Sequence, residues 1–351
     1  MKIFKYIAIY FVCLLNLSAF SQYQSPFNKR IISDTVPEYS FIISGHFYGD
    51  GGNMSHYPVN TLLANLDWIN GTNSTMLVCL GDLFKDISNE IPNYQNSFFD
   101  KLEMPLVNSV GNHDLTGNVY QDNFGETVFS FKIKQDVHLV LDTERDNGDI
   151  KGEQLDLLRT VQKEVALGLI HNVFIYSHRT IWKETYPEME GIFEDNTQSI
   201  GGTNFESEVL PILTDMGKNS QVYFFSGSLG AAPASFFHFQ DKNSKVKIIA
   251  TAIRGLPRDA MLQVFVNEIG EVSFTPKSLT GQVLEPLINY NVDYWQTEVG
   301  AEPYNWKLSV YYVQLMITHR YFWYGVLLTT FGFLSILWFK KRRKRAKNKI
   351  K

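Results

Sequence analysis

Leu106-Val107-Asn108-Ser109-Val110-Gly111-Asn112-His113-Asp114 decides the fold: a largely apolar run stops at a glycine, then presents an amide, an imidazole and a carboxylate in succession. Such a run reads as a buried strand, and the residues after it as the loop at its end. The same grammar recurs along the chain. Met76 to Leu80 runs into Gly81-Asp82, and Val173 to Tyr176 into Ser177-His178. Ser40 to Ser44 runs into Gly45-His46-Phe47, and Gln221 to Phe225 into Ser226-Gly227-Ser228-Leu229.

Helical spacing fills the intervals. Val59, Leu62, Leu63, Leu66 and Ile69 follow Pro58, which suits a first turn; Phe98, Phe99 and Leu102 form a second set. Leu155, Leu158, Val161 and Val165 follow Gly152, and Phe205 to Met216 reads as helical apart from Pro211. Thr127 to Ile133 and Val137 to Leu141 form a hairpin signal, and Val246 to Ala252, Leu262 to Val266 and Val272 to Phe274 add strands. Lys183 to Asn204, polar with three glycines, is expected to be a long exposed loop. Alternating strands and helices predict an α/β fold with its site at the strand ends.

The ends of the 351-residue chain differ from its middle. Lys2 and Lys5 precede an apolar run from Ile7 to Leu17, and Ala19-Phe20-Ser21 supplies small residues before Gln22. That is the pattern of a signal peptide over 1–21, with a short retained anchor as the alternative. Tyr321 to Phe339 is uncharged, with Trp323 and Trp338 near its two ends. At about 1.5 Å per residue it nearly crosses a hydrocarbon core of about 30 Å. Nine basic residues and no acid follow between Lys340 and Lys351, which predicts a single-pass membrane helix with a cytoplasmic tail over 340–351. A domain over 39–276 and a juxtamembrane segment over 277–320 are then periplasmic or extracellular.

The mature part from Gln22 to Arg320 holds 21 basic and all 36 acidic residues, a formal charge of −15, so nucleic acid is not an expected partner. The basic tail suits anionic lipid of the bilayer. Of two cysteines, Cys13 falls in the signal segment and Cys79 within an apolar run, so no internal disulfide is expected in the mature chain. Gly49-Asp50-Gly51-Gly52 lacks the Lys-Ser/Thr of a P-loop, and Ser226 and Gly230 around Ser228 do not make a nucleophile elbow.

The strand ends point to metal chemistry instead. Asp82, Asn112 and His178 offer a carboxylate, an amide and an imidazole, donors that Mn, Fe, Zn or Mg accept in differing degree. His113 could donate to phosphate, with Asp114 fixing its tautomer.

On Gly81-Asp82 followed by Gly111-Asn112-His113-Asp114, with His178 beyond, the stretch from Tyr39 to Phe274 resembles the calcineurin-like metallophosphoesterases. The resemblance implies a sandwich of two β-sheets flanked by helices, with a two-metal site that hydrolyses phosphoesters. It implies that Asp82 bridges the metals, Asn112 and His178 bind the second, and His113 with Asp114 meets the scissile phosphate. The departures are as informative. The family's first motif is Asp-x-His, where Gly45 and Phe47 stand here; its last is Gly-His-x-His, where Gly227, Ser228 and Gly230 stand. By this matching one divalent ion is expected and a second is not; His46, Asp50 and His238 are the nearby substitute ligands. Two readings follow: a divergent hydrolase of a phosphoester outside the cytoplasm, or an inactive scaffold that binds an envelope protein.

Overall fold

In the computed structural model Phe41, Ile42 and Ile43 are all buried, so their strand is covered on both faces. The structure describes residues 23–33, 37–193, 202–229, 233–253, 258–298 and 320–348, with Val313 and Ile317 as isolated positions. The predicted signal segment lies outside the described residues. The chain divides into two compact units, Met1–Val299 and Gly300–Lys351.

The first unit carries two sheets. One has the order β11-β10-β1-β2-β3, with β1 (Tyr39–Ser44), β2 (Met76–Cys79) and β3 (Leu106–Asn108) parallel. β10 (Ala260–Val266) and β11 (Val272–Ser278) close its edge as an antiparallel pair. The other sheet has the order β4-β5-β6-β7-β9-β8. Its parallel centre is β5 (Asp136–Val140), β6 (Asn172–Ser177), β7 (Gln221–Ser226) and β9 (Lys247–Thr251). Hairpin partners β4 (Phe129–Ile133) and β8 (Phe236–Gln240) flank it.

Phe41, Ile43, Val78, Phe174, Tyr176, Phe225 and Leu262 fill the space between the sheets. Helices cover the outer faces. α1 (Asn60–Ala64), α2 (Leu66–Gly71) and α3 (Ile87–Tyr94) lie on the first sheet, where Leu62, Ile69 and Ile87 meet Ile42 and Leu77. α4 (Val119–Phe124) joins that layer through Tyr120 and Phe124. α5 (Glu153–Ala166) and α6 (Leu210–Met216) set Leu158, Val161 and Leu213 on Ile175 and Phe224 of the second sheet. Each such burial contributes roughly 1.5–3 kcal/mol against exposure, enough to hold short helices that would melt alone. The expected α/β sandwich of two sheets flanked by helices is therefore present.

Several local expectations need correction. The helix read through Ile69 breaks at Asn65, whose amide donates to the carbonyls of Thr61 and Leu279. Phe98 and Phe99 lie in a π-helical turn, Gln95–Phe99, that extends α3. The described part of Lys183 to Asn204 is no free loop: Tyr186, Met189, Ile192 and Phe193 are buried with Trp182 and Phe237. From Leu284 to Glu298, Leu287, Tyr290 and Trp295 are buried, as packing against the core requires. There α7 (Val292–Glu298) buries Trp295, whose Nε1 donates to the Phe236 carbonyl at 2.9 Å.

Burial between the sheets also holds one imidazole neutral. His138 on β5 stacks on Phe131 and Phe174, each 4.9 Å away. Its Nδ1 lies 2.7 Å from the Tyr176 hydroxyl and its Nε2 3.3 Å from that of Tyr39, which donates to Asp136. Burial pushes the His138 pKa down to about 3. An unfolded histidine titrates near 6.5, so this group's contribution is full above that pH and is lost as pH falls toward the folded value. Burial raises Asp136 and opposes that slope. Relative to His138→Phe, the wild type should lose about 2 kcal/mol more stability between pH 6.5 and 5, at about 1.4 kcal/mol per unit. Urea unfolding at the two pH values measures it.

The second unit contains α8 (Arg320–Asn348). Within its residues Arg320–Arg342 an 18-residue stretch has a mean hydropathy of 1.6, and the helix is long and apolar enough to cross a membrane.

Candidate metal centre

Five strand ends drawn from both sheets meet where β1, β2, β3, β6 and β7 finish. Two glycines let them converge. A Cβ on Gly45 would sit 2.9 Å from the Gly227 Cα, and one on Gly227 would sit 2.0 Å from the Leu80 carbonyl oxygen. Backbone therefore meets backbone across the gap, in space a side chain would otherwise take.

His46, Asp82 and His178 gather at this junction, all buried, with one donor atom from each lying within 4.8 Å of the others. His46 Nδ1 is 3.4 Å from Asp82 Oδ2, and His178 Nε2 is 3.6 Å from Asp82 Oδ1. The His178 Nδ1 lies 2.8 Å from the Leu80 carbonyl, an acceptor only, so Nδ1 carries the proton and Nε2 turns its lone pair to the cluster. Among the described residues neither His178 Nε2 nor Asn112 Oδ1 has a hydrogen-bond partner, although both atoms are buried. An unsatisfied buried polar group costs about 1–3 kcal/mol, a cost that a ligand at this junction would relieve. Two imidazoles and a carboxylate are a donor set that suits a divalent ion of the Mn, Fe or Zn kind.

The His113–Asp114 pair is built differently from expectation. The His113 backbone N–H donates to Asp82 Oδ1 at 3.2 Å, and its Nδ1 lies 2.9 Å from the Lys85 carbonyl. That carbonyl, rather than Asp114, sets the tautomer and places the proton on Nδ1. Asp114 is fully buried and accepts from the backbone N–H groups of Phe84 and Gly111, each at 2.9 Å. Burial and then the Asp82 carboxylate push its pKa up. Its carboxylate is a brace for the turn Asn112–Asp114, because that turn folds it back onto Gly111.

Two of the three substitute ligands also need correction. Asp50 is exposed and accepts from the Gly52 N–H at 2.8 Å, capping its own loop. His238 lies on the edge strand β8 opposite Ile249, and burial followed by Lys247 holds its pKa down to about 4. Neither belongs to the cluster, whereas His46 does. Phe47, at the position of the family's imidazole, is fully buried in the helix-side core against Phe98. Ser228 is held by its backbone N–H, which donates to the His178 carbonyl at 2.8 Å.

Sequence reasoning missed Tyr48 and Lys85. The Tyr48 ring lies 5.6 Å from that of His46 and 5.1 Å from that of His113. Lys85 orients His113 through its carbonyl while its Nζ bonds the carbonyls of Gly51 and Asn53, fastening the glycine-rich loop. Only its place three residues after Asp82 hints at this.

The two-sheet architecture and this strand-end cluster define the calcineurin-like metallophosphoesterase fold. A dimetal phosphatase from Danio rerio is similar in structure, with a TM-score of 0.50 and 12% identity over 71% of this chain and 99% of that one. A purple acid phosphatase from yellow lupin (Lupinus luteus) seeds matches with a TM-score of 0.47 and 10% identity, over 74% of this chain and 54% of that one. No family model matches the sequence, and no curated protein does.

Proposed function

We propose that this chain hydrolyses a phosphoester with the help of a bound divalent metal, and that it is a single-pass membrane protein whose folded domain works outside the cytoplasm. The observation that carries the reading is the pair of buried, unpartnered acceptors, His178 Nε2 and Asn112 Oδ1, beside Asp82 on a metallophosphoesterase fold. The apolar helix and the nine basic residues from Lys340 onward support the anchoring.

Asp82, Asn112, His178 and His46 would hold the ion, which supplies a Lewis acid for the phosphoryl oxygen and an acidified water. The protein's own groups do the rest. The Lys85 carbonyl keeps the proton on His113 Nδ1, and His113 Nε2–H, present on the imidazolium, can then donate to a phosphoryl oxygen or leaving group. Tyr48 forms an aromatic wall beside it.

Phosphomonoesters and diesters should be turned over by the full-length chain in detergent with Mn, Fe or Zn. Turnover no greater than that of Asp82→Asn would defeat the proposal. His113→Gln should lower kcat/KM by about 10²–10⁴ while bound metal, measured by elemental analysis, stays the same. An inactive scaffold for an envelope protein is the competing reading, favoured by the close contact of Gly45 and Gly227; it predicts metal without turnover.

A further inference from the structure

We propose that His46 has become a ligand of the metal and that the centre is mononuclear. This rests on the metal-binding half of the proposed function and is independent of turnover.

The backbone of β1 supplies the first argument. Side chains alternate along an extended strand, so the one between Gly45 and Phe47 would point away from the side they share. His46 does not continue the strand: its φ is +55°, in the left-handed region. That conformation is uncommon for a residue with a Cβ and costs of order 1–3 kcal/mol, a strain typical of functional sites. It brings the imidazole against Asp82, while Phe47 goes into the core.

Spacing supplies the second. Ligand atoms about 2.1 Å from a tetrahedral ion lie about 3.4 Å from one another. His46 Nδ1 lies 3.4 Å from Asp82 Oδ2 and His178 Nε2 3.6 Å from Asp82 Oδ1, so each imidazole is near that edge from its own carboxylate oxygen, and one donor from each of the three residues lies within 4.8 Å of the others. Asn112 Oδ1 is the remaining buried acceptor.

The third argument excludes a second ion. A side chain at position 45 would run into the Gly227 backbone, and Phe47 is committed to the core. Among the described residues no other group of three His, Cys, Asp or Glu side chains gathers its donors in this way. One carboxylate oxygen of Asp82 cannot hold another ion alone.

The test uses the full-length chain in detergent and zinc as the only probe. Equilibrium dialysis followed by elemental analysis should give one zinc per chain, and X-ray absorption should show two imidazoles on it. His46→Gly keeps the left-handed backbone without strain and removes the ligand, so zinc binding should weaken at least about tenfold. His171→Gln, exposed before the opposite end of β6, should leave it unchanged. Two zincs per chain, none, a single imidazole in the absorption spectrum, or undiminished binding by His46→Gly would each overturn the proposal. Should that variant not fold, the wild-type spectrum decides. One zinc on two imidazoles without turnover would leave this inference standing and remove the hydrolase; turnover with one imidazole would do the reverse.

Discussion

Replacing Gly227 with Ala should lower the thermal midpoint by roughly 6–12 °C and abolish tight zinc binding. The new Cβ would lie 2.0 Å from the Leu80 carbonyl oxygen and 2.7 Å from the Leu80 Cβ. No rotamer relieves a clash between a Cβ and backbone, so β2 or β7 must move. Overpacking commonly costs 1–3 kcal/mol, and a rigid contact belongs at the upper end, about 3 kcal/mol. At about 2–4 °C per kcal/mol for a domain of this size, the stated drop follows. Function goes with it, because the displaced Leu80 carbonyl is the group that orients His178. Gly51→Ala is the control: nothing lies within 4 Å of its Cβ, so both readings should hold steady. Calorimetry and zinc dialysis on the two variants make the measurement. An unshifted midpoint for Gly227→Ala would mean that the strand ends are not packed this tightly.

That tight packing explains what the sequence disclosed. Strands β1, β2, β3, β6 and β7 are short, buried on both faces and closed by glycine or serine, so their apolar runs stand out. The polar residues at their ends inherit that clarity, which is why Asp82, Asn112 and His178 could be singled out as candidates, of which Asp82 and His178 share one cluster. β8 was not, since Phe236-Phe237-His238-Phe239 neither alternates nor ends on such a signal. The polar composition after Lys183 hid a packed segment because Tyr186, Met189 and Phe193 are spread among charges. Roles exercised through backbone atoms leave no mark on residue type at all. The Lys85 and Leu80 carbonyls orient His113 and His178, yet any residue carries a carbonyl. His46 fell between these cases: its identity was visible, but the positive φ that turns it inward belongs to a tertiary contact.

Asp82→Asn should separate the metal from the fold more cleanly than any other substitution. Asp82 has a φ of +55°, a conformation asparagine tolerates, and the amide oxygen can still accept from the His113 N–H. The fold is therefore kept while the only negative ligand is lost. Substitutions of groups that merely support ligands cost about 10–100-fold in metal affinity, so removing the charged ligand itself should cost about 10³-fold. Turnover should fall to background. Stability should respond with opposite signs in two buffers. With chelator present, the variant should equal or exceed the wild type, because the Asp82 charge that raises the pKa of its buried neighbour Asp114 is gone. With zinc at about 100 times the wild-type Kd, the wild type should gain about 2.7 kcal/mol and the variant almost nothing. At about 2–4 °C per kcal/mol that is a midpoint difference of about 5–11 °C, present only with metal. A variant less stable than the wild type in chelator would make Asp82 a structural residue first. Equal gains from zinc in both proteins would place the ion elsewhere.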